Sequence, residues 1–183
     1  LLGAMYDLEI DRMIEEIQER KPSLVLLQLP EGLKQRAAEL VALIETKTSA
    51  KACVSSEMHW GACDLPIEEA RQIHADLVIT FGHAPFHATD IPVIYVEARY
   101  QTAIEPLLVR ALHLLPKRIG LVASVQHLHQ LSYVRDFLVD HGFTVLIPDG
   151  LARAVHQGQI LGCEYLGSKT LCSEVDGFLS ISS

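Results

Sequence analysis

The side chains with the most capacity for metal or nucleophilic chemistry are four cysteines and nine histidines. Cys63, in Gly61-Ala62-Cys63-Asp64, and Cys163, in Gly162-Cys163, lie in polar stretches next to small residues. Such neighbours let the backbone approach a bulky inorganic centre and leave its amides free to hydrogen-bond sulfur. Cys53 falls inside an apolar run and Cys172 just before one, and both read as small buried hydrophobes. His83 and His87 have HxxxH spacing, and His59 lies four residues before Cys63. Zinc takes Cys and His readily, so a mononuclear metal site of Cys63 with His59 or His83 is an alternative. Pro85 breaks the helix that would place His83 and His87 on one face, which makes them a pair of exposed loop histidines.

The elements that must position these side chains follow from the hydrophobic pattern. Residues 7–20 form an amphipathic helix, with Leu8, Ile10, Met13, Ile14 and Ile17 near a 3.6-residue period. Leu24–Leu29 is a short apolar run, set between Pro22 and Pro30, of the kind expected for a buried parallel strand. A helix over roughly 32–46, a strand at 52–55, a short helix from Pro66 and strands at 77–81 and 93–96 complete a first unit. The order then restarts: a helix at 102–114, a strand at 119–123, a helix at 127–140, a strand at 144–147, a long loop and a last apolar run at 175–181. Strand–helix alternation predicts an α/β fold of repeated small domains, each a parallel sheet of about four strands flanked by helices.

Aligning the first strands gives an offset near 95, with Pro30-Glu31-Gly32-Leu33 falling on Val125-Gln126-His127-Leu128; aligning the cysteine loops gives 100. The extra residues belong to the loop before Cys163, where insertions are tolerated. The expected division is 1–101 for the first domain and 102–183 for a shorter second one that stops after its third strand, as in a fragment or one chain of a larger assembly. In parallel α/β sheets ligands bind beyond the carboxyl ends of the strands. Cys63, Cys163, Gly82-His83 and the loops at Pro30-Glu31-Gly32 and Gln126-His127 all belong to that edge. The two loops open helices, whose first amides favour an anionic group. Neither is a dinucleotide fingerprint or a P-loop, and no nucleophile elbow is present.

Hydrophobic residues make up 49% and charged residues 21% of the chain, enough for a packed core. The net charge of −8 argues against a protein that grips nucleic acid. No apolar run approaches the roughly 20 residues that cross a bilayer, and Leu1–Met5 is too short for a signal peptide. The cytoplasm is the expected compartment, where unpaired thiols outnumber disulfides.

The ordered motifs Leu26-Leu27-Gln28-Leu29-Pro30-Glu31-Gly32-Leu33, Gly61-Ala62-Cys63-Asp64, Phe81-Gly82-His83, Gln126-His127 and Gly158-Gln159-Ile160-Leu161-Gly162-Cys163 resemble those of the diphthamide synthases. These are the 2-(3-amino-3-carboxypropyl)histidine synthases of archaea and eukaryotes, and the resemblance runs over essentially the whole chain. The Asp after the first cysteine and the intact second cysteine resemble the archaeal, homodimeric enzymes. Glu57-Met58-His59-Trp60 departs from the commonest wording of the family. The resemblance implies three similar domains, each giving one cysteine to a 4Fe–4S cluster whose fourth iron binds S-adenosylmethionine. It implies a transferase, a non-classical radical S-adenosylmethionine enzyme. A 3-amino-3-carboxypropyl group goes to a histidine of elongation factor 2, with an electron donor and a chain carrying the third domain as partners. Cys63 and Cys163 are then the cluster ligands, and the helix-start loops at Pro30, Glu31, Gly32, Gln126 and His127, whose amides suit a carboxylate, are the expected contacts of S-adenosylmethionine. A non-catalytic partner subunit is the other alternative.

Overall fold

A computed structural model describes residues 5–58 and 60–182. It divides into two compact units, Leu1–Ala98 and Arg99–Ser183. The first contains α1 (Ile10–Arg20), β1 (Leu24–Gln28), α2 (Ala37–Lys47), β2 (Lys51–Val54), α3 (Ile67–Gln72), β3 (Leu77–Phe81) and β4 (Val93–Val96). These four strands form one parallel sheet, in the order β2-β1-β3-β4. The period-two geometry of the strands splits the core into two layers. Val25, Leu27, Leu77, Ile79, Phe81, Ile94 and Val96 pack with α1 and α2, while Leu26 and Val78 pack with Ala70 of α3. The whole of β3 is buried, as its continuous apolar run requires.

The second unit contains α4 (Glu105–Ala111), β5 (Arg118–Ala123), α5 (Leu131–Asp140), β6 (Thr144–Leu146), α6 (Leu166–Thr170) and β7 (Gly177–Ile181). Its parallel strands run β6-β5-β7, the same order as the first three of the first unit. Ile119, Leu121 and Ala123 pack with Leu131, Val134 and Leu138 of α5 and with Leu108 of α4.

Two features depart from the pattern of the sequence. Each helix after a first strand opens as a 3-10 segment, Glu31–Arg36 in one unit and Val125–Gln130 in the other, before the α-helix begins. The true offset there is 94 rather than 95. Val25 pairs with Leu77 and Ile119 with Gly177, each the first residue of its third strand. Pro30 therefore corresponds to Ser124, Gly32 to Gln126 and Leu33 to His127. The one-residue difference matters, because it puts a histidine in the place of a core leucine. The last helix, α6, had no periodic signal because it is only five residues long.

Candidate functional site

The two cysteines sit in the same local structure. Asp64 N–H donates to Gly61 O at 3.0 Å, closing a four-residue turn with Cys63 third and an acid fourth. Glu164 N–H donates to Leu161 O at 3.3 Å, closing the corresponding turn with Cys163 third and an acid fourth. Both acids then brace their turns: Trp60 N–H donates to Asp64 Oδ2 at 3.1 Å, and Leu166 N–H to Glu164 Oε1 at 2.8 Å. Both thiols are exposed. A Cβ placed on Gly162 meets nothing within 4 Å, and one on Gly61 meets only Cys63 Sγ, at 3.9 Å. Each thiol thus has open space on its glycine side.

Different devices hold the two turns to their sheets. In the first unit Gln28, buried at the end of β1, donates from Nε2 to Asp64 O at 3.2 Å. Glu69 of α3 receives the Ser55 hydroxyl and, at 3.4 Å, Ser56 N–H, fixing the start of the loop. In the second unit the loop itself runs beside β5. Ala123 N–H donates to Gly158 O at 2.8 Å and Ile160 N–H to Ala123 O at 2.9 Å. Gly158 has φ +73, and a Cβ there would lie 2.5 Å from Leu131 Cδ1, so only glycine fits this close approach. The inserted residues ahead of Cys163 are therefore a packed strap along the strand end.

The strand order reverses between β2 and β3 and between β6 and β7, so the switch points fall at the carboxyl ends of β1/β3 and β5/β7. At the first stand Pro30-Glu31-Gly32 and Gly82-His83; Gly82 (φ +81) turns the chain there and donates N–H to Val96 O at 2.7 Å. Gln28 Oε1 and Thr80 Oγ1, on register-paired residues, are buried without a partner. At the second stand Ser124, Gln126 and His127. His127 is 5% exposed, its Nδ1 lies 3.1 Å from Gln130 Oε1, and its ring meets that of Tyr100 at 5.2 Å. Ser124 Oγ, His127 Nε2 and Gln159 Nε2 are buried without partners, and no sequence pattern singled out Ser124 or gave Gln159 a role beyond its motif.

The remaining candidates fall apart from these edges. No helix joins His83 and His87; His87 is exposed in the loop and His83 is half-buried. His59 lies outside the described residues. Among the described residues no three His, Cys, Asp or Glu side chains form a group that could hold a metal ion. Cys53 is half-buried on β2, where burial and then the charge of Glu69 push its thiol pKa up. Cys172 corrects the expectation of a buried hydrophobe: it is exposed, because the residues between α6 and β7 are surface turns rather than strand. Among the described residues no helix is long and apolar enough to cross a membrane.

Comparisons with known proteins place this geometry in a family. The chain is 30% identical, over 98% of its length, to the 2-(3-amino-3-carboxypropyl)histidine synthase of Pyrococcus horikoshii, of which it covers 52%. It is 31% identical to subunit 1 of the same synthase from Schizosaccharomyces pombe, covering 39% of that protein. The chain thus spans about half the length, or less, of these relatives. Crystal structures of Dph2 from Pyrococcus horikoshii superpose with TM-scores of 0.86 and, for the form with a 4Fe–4S cluster, 0.87, over 98% of this chain and 53% of that one. The model of the diphthamide synthesis protein family matches residues 29–183, and the chain belongs to that family.

Proposed function

We propose that Cys63 and Cys163 are two of three thiolate ligands of a catalytic 4Fe–4S cluster in the first step of diphthamide biosynthesis. The observation that carries this is the repeated turn: an exposed cysteine third, an acid fourth, at equivalent edges of two units. The donor set fits the group, since thiolates are the ligands such clusters take, and both thiols are exposed, with no atom but Cys63 Sγ crowding the glycine beside either. Three thiolates leave one iron open, as S-adenosylmethionine binding needs, and the third comes from the part of the family's length that this chain does not span. The group would supply one electron, taken from a donor protein, for cleaving the bond between sulfur and the γ-carbon of S-adenosylmethionine into 5′-methylthioadenosine and a 3-amino-3-carboxypropyl radical. The acceptor is a histidine of elongation factor 2, and the assembly is a cytoplasmic homodimer of the archaeal kind.

The chain's own residues supply support and orientation. Gln28, the Asp64 and Glu164 braces and the Gly158 strap hold the two turns. The loops at Pro30-Glu31-Gly32 and Gln126-His127 line the switch points at which the methionine end of the substrate is held. Anaerobic reconstitution of the complete protein should give about four irons and four sulfides per site. Cys63→Ala and Cys163→Ala should each lower that content and abolish formation of aminocarboxypropyl-histidine. One tightly bound zinc at Cys63 in place of the cluster, or full turnover in both variants, would overturn the proposal.

A further inference from the structure

Thr80 is out of character with the strand that carries it. Leu77–Phe81 is buried throughout, and Thr80, 0% exposed, holds its one polar side chain. Burying a hydroxyl without a partner is unfavourable, and valine would fill the same space without that cost. Folding of β3 therefore does not explain the hydroxyl.

The strand register sets Thr80 in a polar row. Parallel partners share a face of the sheet, so Gln28, Thr80 and Tyr95 stand side by side across β1, β3 and β4. Ser55, which follows Val54 of the β2–β1 pairing, extends the row beyond Gln28. The outer two are engaged elsewhere: the Ser55 hydroxyl donates to Glu69, and the Tyr95 hydroxyl is hydrogen-bonded to the Phe86 backbone. Gln28 Nε2 donates to Asp64 O at 3.2 Å. That leaves Gln28 Oε1, which only accepts, and Thr80 Oγ1, which can donate. Among the described residues these are the two buried side-chain atoms of the first unit without a partner. They are a complementary pair, and they belong to register partners on strands about 4.8 Å apart.

We propose that Thr80 is a positioning residue for Cys63: its hydroxyl donates to Gln28 Oε1, directly or through one water, and keeps the amide turned with Nε2 towards the Asp64 carbonyl. A primary amide has two orientations half a turn apart, and the other would set Gln28 Oε1 against Asp64 O, two acceptors with no proton between them. A donor on the Oε1 side selects the orientation that grips the turn. Asp64 N–H closes the turn in which Cys63 is third, so the chain of contacts runs from Thr80 through Gln28 to the backbone that carries the thiol. The second unit is the control. The same two places there hold Val122 and Ser180, and the Gly158 strap serves the Cys163 turn instead. The value of this hold to a cluster rests on the reading proposed above; the hold on Cys63 itself does not.

The test follows alkylation of Cys63 by iodoacetamide in the chain without cluster, with Cys163 of the same molecule as internal standard. In Thr80→Val the rate at Cys63 relative to Cys163 should rise at least ~3-fold, of the order of one lost hydrogen bond, because a turn no longer gripped at Asp64 O opens around its thiol. Thr80→Ser keeps the hydroxyl and should restore the parent ratio. Gln28→Leu should give the same rise, and adding Thr80→Val to it no further one, since Thr80 acts through Gln28. That double variant removes both polar atoms at nearly constant volume, so its thermal midpoint should stay within ~2 °C of the parent while the turn is loosened. An unchanged ratio in Thr80→Val, no rescue by Thr80→Ser, or additive effects of the two substitutions overturns the proposal. In the reconstituted complete protein, the electron paramagnetic resonance signal of the reduced cluster should change shape in Thr80→Val and recover in Thr80→Ser. A parent protein that takes up no cluster refutes the cluster reading alone, and the alkylation ratios still decide the role of Thr80.

Discussion

Gly158→Ala should damage the second unit through both its backbone and its packing. The residue has φ +73, and the new Cβ would stand 2.5 Å from Leu131 Cδ1 and 2.9 Å from Ile147 Cγ2. The left-handed backbone costs an L-residue about 1–2 kcal/mol. Displacing packed side chains adds about 1–3 kcal/mol. The expected loss is therefore about 3 kcal/mol. Gly142→Ala is the control: φ is +80, but nothing lies within 4 Å of its Cβ, so only the backbone cost of about 1 kcal/mol applies. Native-state hydrogen exchange at β5 and β7 amides gives both values, since it reads this unit separately from the first. Because Gly158 hydrogen-bonds both Ala123 and Pro148, Cys163 should also be alkylated at an altered rate in Gly158→Ala and at the parent rate in Gly142→Ala. Equal losses in the two variants would show that the strap is not clamped against Leu131 and Ile147, and the account of how Cys163 is held would fail.

Gly120→Ala places a Cβ 2.3 Å from the Phe178 ring, but that ring is 40% exposed and can swing outward, so the cost should be only about 1–2 kcal/mol. Adding Phe178→Ala should recover part of it in a double-mutant cycle, and strict additivity of the two losses would refute the contact. Cys53 should be the slowest of the four thiols to react with iodoacetamide at neutral pH. Burial and Glu69 raise its pKa, and a raised thiol pKa leaves less of the reactive thiolate at any given pH. Mass spectrometry of the adducts orders the four sites, and early labelling of Cys53 would contradict its placement on β2.

The strands were legible because a buried parallel strand needs a continuous apolar run, and Leu77–Phe81 and Val93–Val96 have one with punctuated ends. The cysteine edge was legible for the same reason: the strand order fixes which loops share an edge before any side chain is placed. What stayed hidden depends on hydrogen bonds rather than periodicity. Nothing in the spacing of Gln28 shows that its side chain reaches Asp64, 36 residues on. Strand pairing sets an offset of 94, with the 3-10 openings in step with it, and a low-identity alignment of Pro30-Glu31-Gly32-Leu33 does not resolve that one-residue difference. Cys172 failed because apolar Leu171 and Val175 around it suggest a strand approach, whereas the backbone there is a run of turns.

The two units act as controls for one another, which separates what the fold needs from what chemistry needs. Positions kept in kind between them, such as the acid after each cysteine, mark a shared task. Positions that diverge towards polarity inside a core are costly, since a buried unpaired polar group costs about 1–3 kcal/mol. By that measure the first unit spends polarity on Gln28, where the second has buried Val122, and uses it to hold Cys63. The second unit spends it on Ser124, His127 and Gln159, where no bond within the chain uses Ser124 Oγ, His127 Nε2 or Gln159 Nε2. Gln28 is half explained by its turn, while its Oε1 and Thr80 Oγ1 are as unpartnered as the group at the end of β5. The divergence thus separates the turn of cysteine and acid, which recurs in both units, from the polar group at the end of β5, which the second unit alone carries.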